Sequence, residues 1–267
     1  FDDYFYPYPL KDEFPDTLSF QNHNRGYTPL YKAGPRRENV DLIIEMLNDS
    51  IKHLKPWVKF GISPFGVWRN MSDDPEGSDT RAGVTNYDHL FADIIKWQKN
   101  GWIDYSLPQL YWQIGHSTVD FELLVNWWGQ HAYGRGMYIG HALYKIDEGS
   151  SVKEWAMPGE ITKQVKLLRE TENISGSAYF SSNHFNRELF GLQDSLKLLL
   201  YGKQAIVPPM KWLDDKNPEP VRKIKKSGRK MKIYTNENKD EMDRPNLFVL
   251  YLNGEGEEFQ KENSRYV

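Results

Sequence analysis

Apolar positions alternate along this chain between two periods. Short β-like runs fall at Phe1–Tyr6, Val58–Ser63, Ile103–Tyr111, Met137–Leu143 and Ser175–Phe180. Between them the spacing lengthens to about 3.6 residues, the mark of an amphipathic helix. Asn39–Leu54 carries Val40, Ile43, Ile44, Leu47, Ile51 and Leu54 on one face, with Pro35 upstream as an initiator. Tyr87–Asn100 stops at Gly101, and Phe121–His131, Glu160–Glu172 and Leu192–Tyr201 complete the helical set. Strand followed by helix, repeated along the chain, predicts a parallel sheet of the α/β class.

Long irregular segments follow the strands, while short turns such as NGW (100–102) and YGRG (133–136) lead back into the next one. Loops concentrated at the strand C-terminal ends favour a barrel over an open sheet. The predicted fold is a partial (β/α)8 TIM barrel of about five βα units over residues 1–204. No GxGxxG follows the first strand, which weighs against a dinucleotide-binding sheet. After Gly202 the pattern changes. Residues 205–219 read as a Pro-rich linker, and 220–267 as a truncated all-β module of sandwich type. In it VRKIKKSGRKMKIYTN alternates around Ser-Gly as a hairpin, and NLFVLYLNG is a further strand.

Composition narrows the chemistry. Aromatic residues make up 14% of the 267 (9 Trp, 16 Tyr, 13 Phe), an excess that suits a large core or a ring-stacking groove. The net charge of −3 gives no general drive toward nucleic acid or anionic lipid. The basic run Arg222–Lys232 reads as the solvent face of an edge hairpin, where Lys and Arg block further pairing. With no Cys there is neither a disulfide framework nor a thiolate metal site.

Candidate functional residues gather just after the strands. Asp2 and Asp3 precede the rigid, ring-rich YFYPYP, and neighbours on a strand point to opposite faces. A carboxylate at a barrel mouth beside Tyr4 and Tyr6 suits glycoside cleavage, which uses carboxyl groups as acid and as nucleophile or base. In FGISPFGVWRN, Trp68 offers a stacking face, and Arg69 and Asn70 offer donors for hydroxyls. Gln109, Tyr111 and Trp112 end the third run, and His141 and Tyr144 the fourth. The acidic loop 73–79 lacks calcium-loop spacing and reads as a rim loop. His141 and His184 form no HxH or HExxH pattern, so no metal or cofactor is expected. There is no G-x-S-x-G elbow and no P-loop.

Taken in order, FDDYFYPYP, RRENV (36–40), KFGISPFGVWRN, DPEGSDT (74–80), GWIDYSLPQLYWQIG and the WW of LVNWW closely resemble the bacterial glycosyl-hydrolase-like family numbered ten. The resemblance spans roughly residues 1–213. It implies a (β/α)8 barrel, often followed by a fibronectin-III-like module. It also implies export to the cell envelope, often as a lipoprotein, and hydrolysis of glycan, with peptidoglycan strands as the expected polysaccharide substrate. In that family the DDYFYP stretch lies on the fourth barrel strand, so the chain is expected to lack the first three. The strand at residues 1–6 would then be an open edge for dimerisation. The resemblance makes Asp3 the leading catalytic carboxylate and Asp2 the second; the partner acid is either Asp120 or a carboxylate on the first barrel strands, in which case this chain alone is expected to be inactive. Two other readings compete: a carbohydrate-binding barrel without catalysis, and a metal-dependent glycan deacetylase with Asp2, Asp3 and His141 as ligands.

Overall fold

The computed structural model describes residues 1–9, 11, 13–28, 31–202, 205, 207–214, 221–228 and 230–234. The chain divides into two compact units, Phe1–Gln204 and Ala205–Val267. In chain order the first holds α1 (Thr17–Asn22), α2 (Ala33–Leu54), β1 (Gly61–Ile62), α3 (Asn86–His89), α4 (Ile94–Asn100) and β2 (Tyr105–Ser106). These are followed by α5 (Phe121–Gln130), β3 (Gly136–Ala142), α6 (Glu160–Glu170), β4 (Gly176–Phe180) and α7 (Leu192–Ser195), which continues as a π turn over Leu196–Leu200.

The strands form one parallel sheet in the order β1-β2-β3-β4, with Gly61 opposite Tyr105, Tyr105 opposite Gly136 and Tyr138 opposite Gly176. Isolated bridges carry the ladder further toward the strand C-terminal ends, from Phe65 to Gln109 and from Gln109 to Gly140. Sequential parallel strands with a helical connection between each pair are the repeating unit of an α/β barrel.

The first expected strand is reduced to a single paired residue. The Phe1 nitrogen donates to the Gly61 carbonyl at 3.0 Å, and the Ser63 N–H donates to the Phe1 carbonyl at 2.8 Å. Those two bonds flank Ile62 as a parallel ladder does. The chain then turns instead of extending: Phe5 N–H donates to the Asp3 carbonyl at 3.0 Å, and Tyr8 folds back onto the Asp3 side chain.

Helix ends differ from the expected ones for identifiable reasons. α2 starts at Ala33, ahead of the expected Asn39, and keeps Pro35 in its first turn, where the missing N–H costs nothing. The pattern expected as one helix from Tyr87 to Asn100 is broken after His89. There the Asp93 carboxylate takes both the Lys96 N–H (3.2 Å) and the Trp68 indole N–H (3.2 Å), capping a new helix. Gly101, at φ 72°, ends it in the left-handed region that a residue without Cβ adopts readily.

Alternation along β3 sorts the sheet's two faces. Met137, Ile139 and His141 are fully buried toward the helices, where Ile44, Trp97, Phe121, Leu124 and Trp128 complete the core. Tyr138 and Gly140 face the other way. A second buried cluster of Leu143, Ile146, Trp155, Ile161, Val165 and Leu196 lies under the later loops. No helix among the described residues is long and apolar enough to cross a membrane.

In the second unit, β5 (Lys223–Ser227) and β6 (Lys230–Tyr234) form an antiparallel hairpin in which Ser227 pairs with Lys230 across a turn containing Gly228 at φ 59°. The expected strand at 246–254 lies outside the described residues.

The start of the sheet is pinned by Asp104. Its carboxylate accepts the Phe60 N–H at 2.7 Å and the Lys52 ammonium at 2.5 Å, tying β1, β2 and α2 together. Removing it orphans the Phe60 N–H and leaves Lys52, which still donates to the Val58 carbonyl, without its counter-charge. Asp104→Ala is expected to cost about 2–4 kcal/mol in urea unfolding. Asp104→Asn, which keeps an acceptor for Phe60, should cost less.

Candidate active site

The C-terminal ends of the strands and the loops leaving them bring one set of predicted residues together. Asp3 is 2% exposed, and its Oδ2 accepts a short hydrogen bond from the Tyr8 hydroxyl. Asp2 is exposed. Its Oδ1 accepts the Asp3 N–H at 2.9 Å and the Gln109 amide at 2.7 Å, while the same amide also donates to the Ser63 carbonyl at 3.1 Å. The turn at Asp3 thus lays Asp2 against the sheet extension. The Asp3 carboxyl is pushed above the ordinary aspartate value. Burial is the main cause and the Asp2 charge adds to it, against the opposing pull of the Tyr8 hydrogen bond. Tyr8 is raised in turn, by burial and by the carboxylate it faces.

A wall of rings continues from these carboxyl groups. Tyr8 meets Phe65 edge-on at 6.2 Å, and Phe65 meets Trp112 at 5.6 Å. Farther along, Tyr111 stacks on Phe180 at 6.0 Å and meets Tyr144 edge-on at 5.8 Å, with His184 6.3 Å from Tyr144. Phe180 is 55% exposed and Tyr144 40%. Tyr4, also exposed, stands edge-on to Tyr8 at 6.3 Å. Gly66 makes the close approach possible: a Cβ there would come within 2.6 Å of the Gln109 carbonyl and of the Trp112 ring.

Other predicted residues sit elsewhere. Tyr6 turns toward the helices, edge-on to Phe14 and Phe91 and under the Arg36 guanidinium. Trp68 is core, stacked on Trp127 at 6.0 Å. Arg69 is held by Asp88 and Asp74 and lies over the Tyr87 ring. Asn70 is buried and organises its loop by accepting from Thr80 and the Ala82 N–H and donating to the Ala82 carbonyl. WRN therefore builds the rim loop and does not line the groove. Asp120 caps α5, its Oδ1 taking the Glu122 and Gly115 N–H groups at 3.0 Å, and neither bond reaches Asp2 or Asp3.

His141 is the largest correction. It belongs to the helix-facing set of β3, and its ring is fully buried between Tyr179 and Phe121. Nδ1 bonds Gln164 Oε1 at 2.8 Å, which requires the proton on Nδ1, and Nε2 then accepts from the Ser177 hydroxyl at 3.0 Å. Neither nitrogen is left for substrate or metal. Among the described residues no three His, Asp or Glu side chains converge as a metal site, and the ligand set imagined for a deacetylase does not assemble. Gln164 passes the connection on, donating to the Trp112 carbonyl at 3.1 Å and to Glu160 Oε1 at 2.9 Å. That Glu160 oxygen accepts the Ile114 N–H at 2.9 Å, and burial raises the Glu160 carboxyl above its usual range. The buried network therefore grips the loop that carries Tyr111 and Trp112.

Comparison with known proteins gives the family. A family model described as Glycosyl hydrolase-like 10 matches residues 1–157. The chain belongs to this family. It is 40% identical over 257 residues to "Glycosyl hydrolase YngK" of Bacillus subtilis, covering 94% of this chain and 50% of that protein. To "Glycosyl hydrolase DigH" of Escherichia coli K12 it is 37% identical over 193 residues, covering 70% of this chain and 43% of the relative. The chain spans about half the length of the curated relatives it matches. The family match takes in Asp2, Asp3, Tyr8, Gln109, Tyr111 and Trp112, whereas Phe180 and His184 lie beyond it.

Tyr8, Phe65 and Phe180 escaped the sequence reading. Tyr8 is separated from Asp3 by three rings and Pro7, a spacing that only a tight turn makes meaningful. Phe180 ends β4 and alternates with Tyr179, and only the register against β3, Tyr179 opposite His141, assigns the two faces.

The state of His141 makes a pH prediction. Burial lowers its pKa from 6.5 to about 4, so the unfolded chain takes up the proton first as pH falls. Its contribution to stability is complete above pH 6.5 and is lost between 6.5 and about 4, reaching about 3 kcal/mol at 1.36 kcal/mol per pH unit. Urea unfolding of the wild type across that window, minus that of His141→Gln, should show this slope.

Proposed function

We propose that the chain carries the substrate-facing part of a glycoside hydrolase acting on bacterial cell-wall glycan, with Asp3 as the proton donor to the departing sugar. The observation that carries this reading is Asp3 itself, a carboxyl group buried beside a second carboxylate and tied to a tyrosine at the C-terminal end of a parallel sheet. Its raised pKa favours a proton at a pH where an ordinary aspartate has lost one, as a general acid needs. Tyr8 orients it. Asp2, aimed by Gln109, supplies negative charge where an oxocarbenium-like transition state builds positive charge.

The rings of Tyr111, Trp112, Tyr144 and Phe180 support a polysaccharide substrate, since flat apolar faces cover the C–H faces of sugars while their polar edges reach hydroxyls. The relatives' names speak for glycosyl hydrolysis. The choice of peptidoglycan, and with it a place in the cell envelope, rests on the resemblance in the sequence. So do the closed eight-stranded barrel and a fibronectin-like identity for the hairpin unit.

The full-length protein and its Asp3→Asn variant, incubated with peptidoglycan glycan strands, test the reading by mass spectrometry of the sugar ends released. Turnover should fall by about 10²–10⁴-fold with binding retained. Undiminished turnover in Asp3→Asn would remove Asp3 from the chemistry. Binding by both proteins with no new sugar ends would make the site a wall-binding platform.

A further inference from the structure

Beside the ring wall lies a cavity of about 550 Å³ lined by Trp112, Gln113, His116, Lys145, Asp147 and Trp155. Building on the glycan reading, we propose that this cavity is a subsite for a carboxylate carried by the substrate, with Lys145 as the residue that reads it.

Lys145 follows directly from the end of β3 and is half-buried. Its ammonium donates to the Tyr111 carbonyl at 2.5 Å and lies 5.9 Å from the centre of the Trp155 ring. It joins none of the ion pairs among the described residues. Lys52, Lys96, Arg36 and Arg69, by contrast, each meet a carboxylate. A carbonyl satisfies one of the three ammonium hydrogens and none of the charge. Burial without a counter-charge disfavours the cation and lowers the Lys145 pKa, a cost that an anion entering the cavity would offset.

The other charged groups on the wall do not fill this role. Asp147 is exposed and its Oδ1 accepts the Gly149 N–H at 2.8 Å, closing its own turn. His116 uses Nδ1 to accept the Val119 and Thr118 N–H groups at 3.2 and 3.3 Å, which leaves the ring proton on Nε2 as a second donor. Gln113 Oε1 is taken by the Trp155 indole at 3.3 Å.

Contacts between side chains link the cavity wall to the proposed catalytic carboxyl groups. Trp112 is on its wall and reaches Asp3 through Phe65 and Tyr8, and the carbonyl that Lys145 holds belongs to Tyr111. An extended glycan lying on the rings would bring a neighbouring sugar over Lys145. Sugars with a lactyl ether and uronic acids both carry a carboxylate, and both present the same anion to an ammonium.

Binding is measured by calorimetry in the Asp3→Asn background, so that nothing is consumed, and in the same protein with Lys145→Gln or Lys145→Arg. The probes are muramic-acid-containing glycan strands with free lactyl carboxylates, the same strands with those groups amidated, oligogalacturonate, and neutral chitin oligomers. Lys145 should give about 10–100-fold preference for free acid over amide, the range of a hydrogen bond to a charged group. Lys145→Gln should erase the preference while leaving chitin oligomers unchanged, and Lys145→Arg should retain most of it. Whether lactyl strands or oligogalacturonate shows the effect identifies the source of the carboxylate. Equal binding of acid and amide by the parent protein overturns the inference but not the glycosidase reading. No binding of any glycan overturns the glycan reading beneath it. Thermal melts check that each variant is folded, and the Arg variant decides the case if Gln destabilises.

Discussion

The side-chain amide of Gln164 is the junction on which the site depends. It is fully buried on α6 and spends both its ends: Oε1 takes the His141 proton from β3, while Nε2 reaches the Trp112 carbonyl and Glu160. A buried amide left half-satisfied costs about 1–3 kcal/mol, so strand, helix and loop are held in one arrangement. With the Lys145 bond to the Tyr111 carbonyl, the amide holds the ring-bearing loop after β2 in place. Its fixed course decides where Tyr111 stacks, and hence where a substrate can lie.

This junction also gives His141 a structural place rather than a place in the groove. A His near the end of a barrel strand looks like a site residue until its parity is counted. Met137, Ile139 and His141 share one face and belong to the helical layer, whereas Tyr138 and Gly140 share the other. Parity likewise puts Phe180 with the site and Tyr179 with the core. The period-2 signal was present in the residues, but without a fixed register it does not say which face is which. The strand and helix order was legible because long amphipathic segments such as Phe121–Gln130 leave little ambiguity. Local chemistry was not: the Asp93 cap that divides one expected helix, and the turn at Asp3 that leaves only Phe1 in the ladder, both depend on side chains meeting partners distant in sequence.

The WRN stretch makes the same point for tertiary context. Trp, Arg and Asn beside a barrel mouth are chemically suited to sugar. Here Asp93, Asp88, Asp74 and Ala82 take up their polar groups, and Trp127 takes up the indole face. Side chains whose polar groups are taken up in this way build the rim loop. Gln109, by contrast, points its amide at Asp2. Residues close together in sequence thus divide between architecture and chemistry according to what surrounds them.

Burial and a neighbouring carboxylate hold the Asp3 proton more firmly than the Tyr8 hydrogen bond loosens it. Carboxyl ¹³C NMR titration of Asp3, assigned through Asp3→Asn, measures that balance directly. The account predicts a midpoint above the ordinary aspartate value of 3.8, rising further in Tyr8→Phe, where the stabilising hydrogen bond is lost. A midpoint at or below the ordinary value would mean that Asp3 is simply an ionised structural group, and the proton-donor role would fall with it.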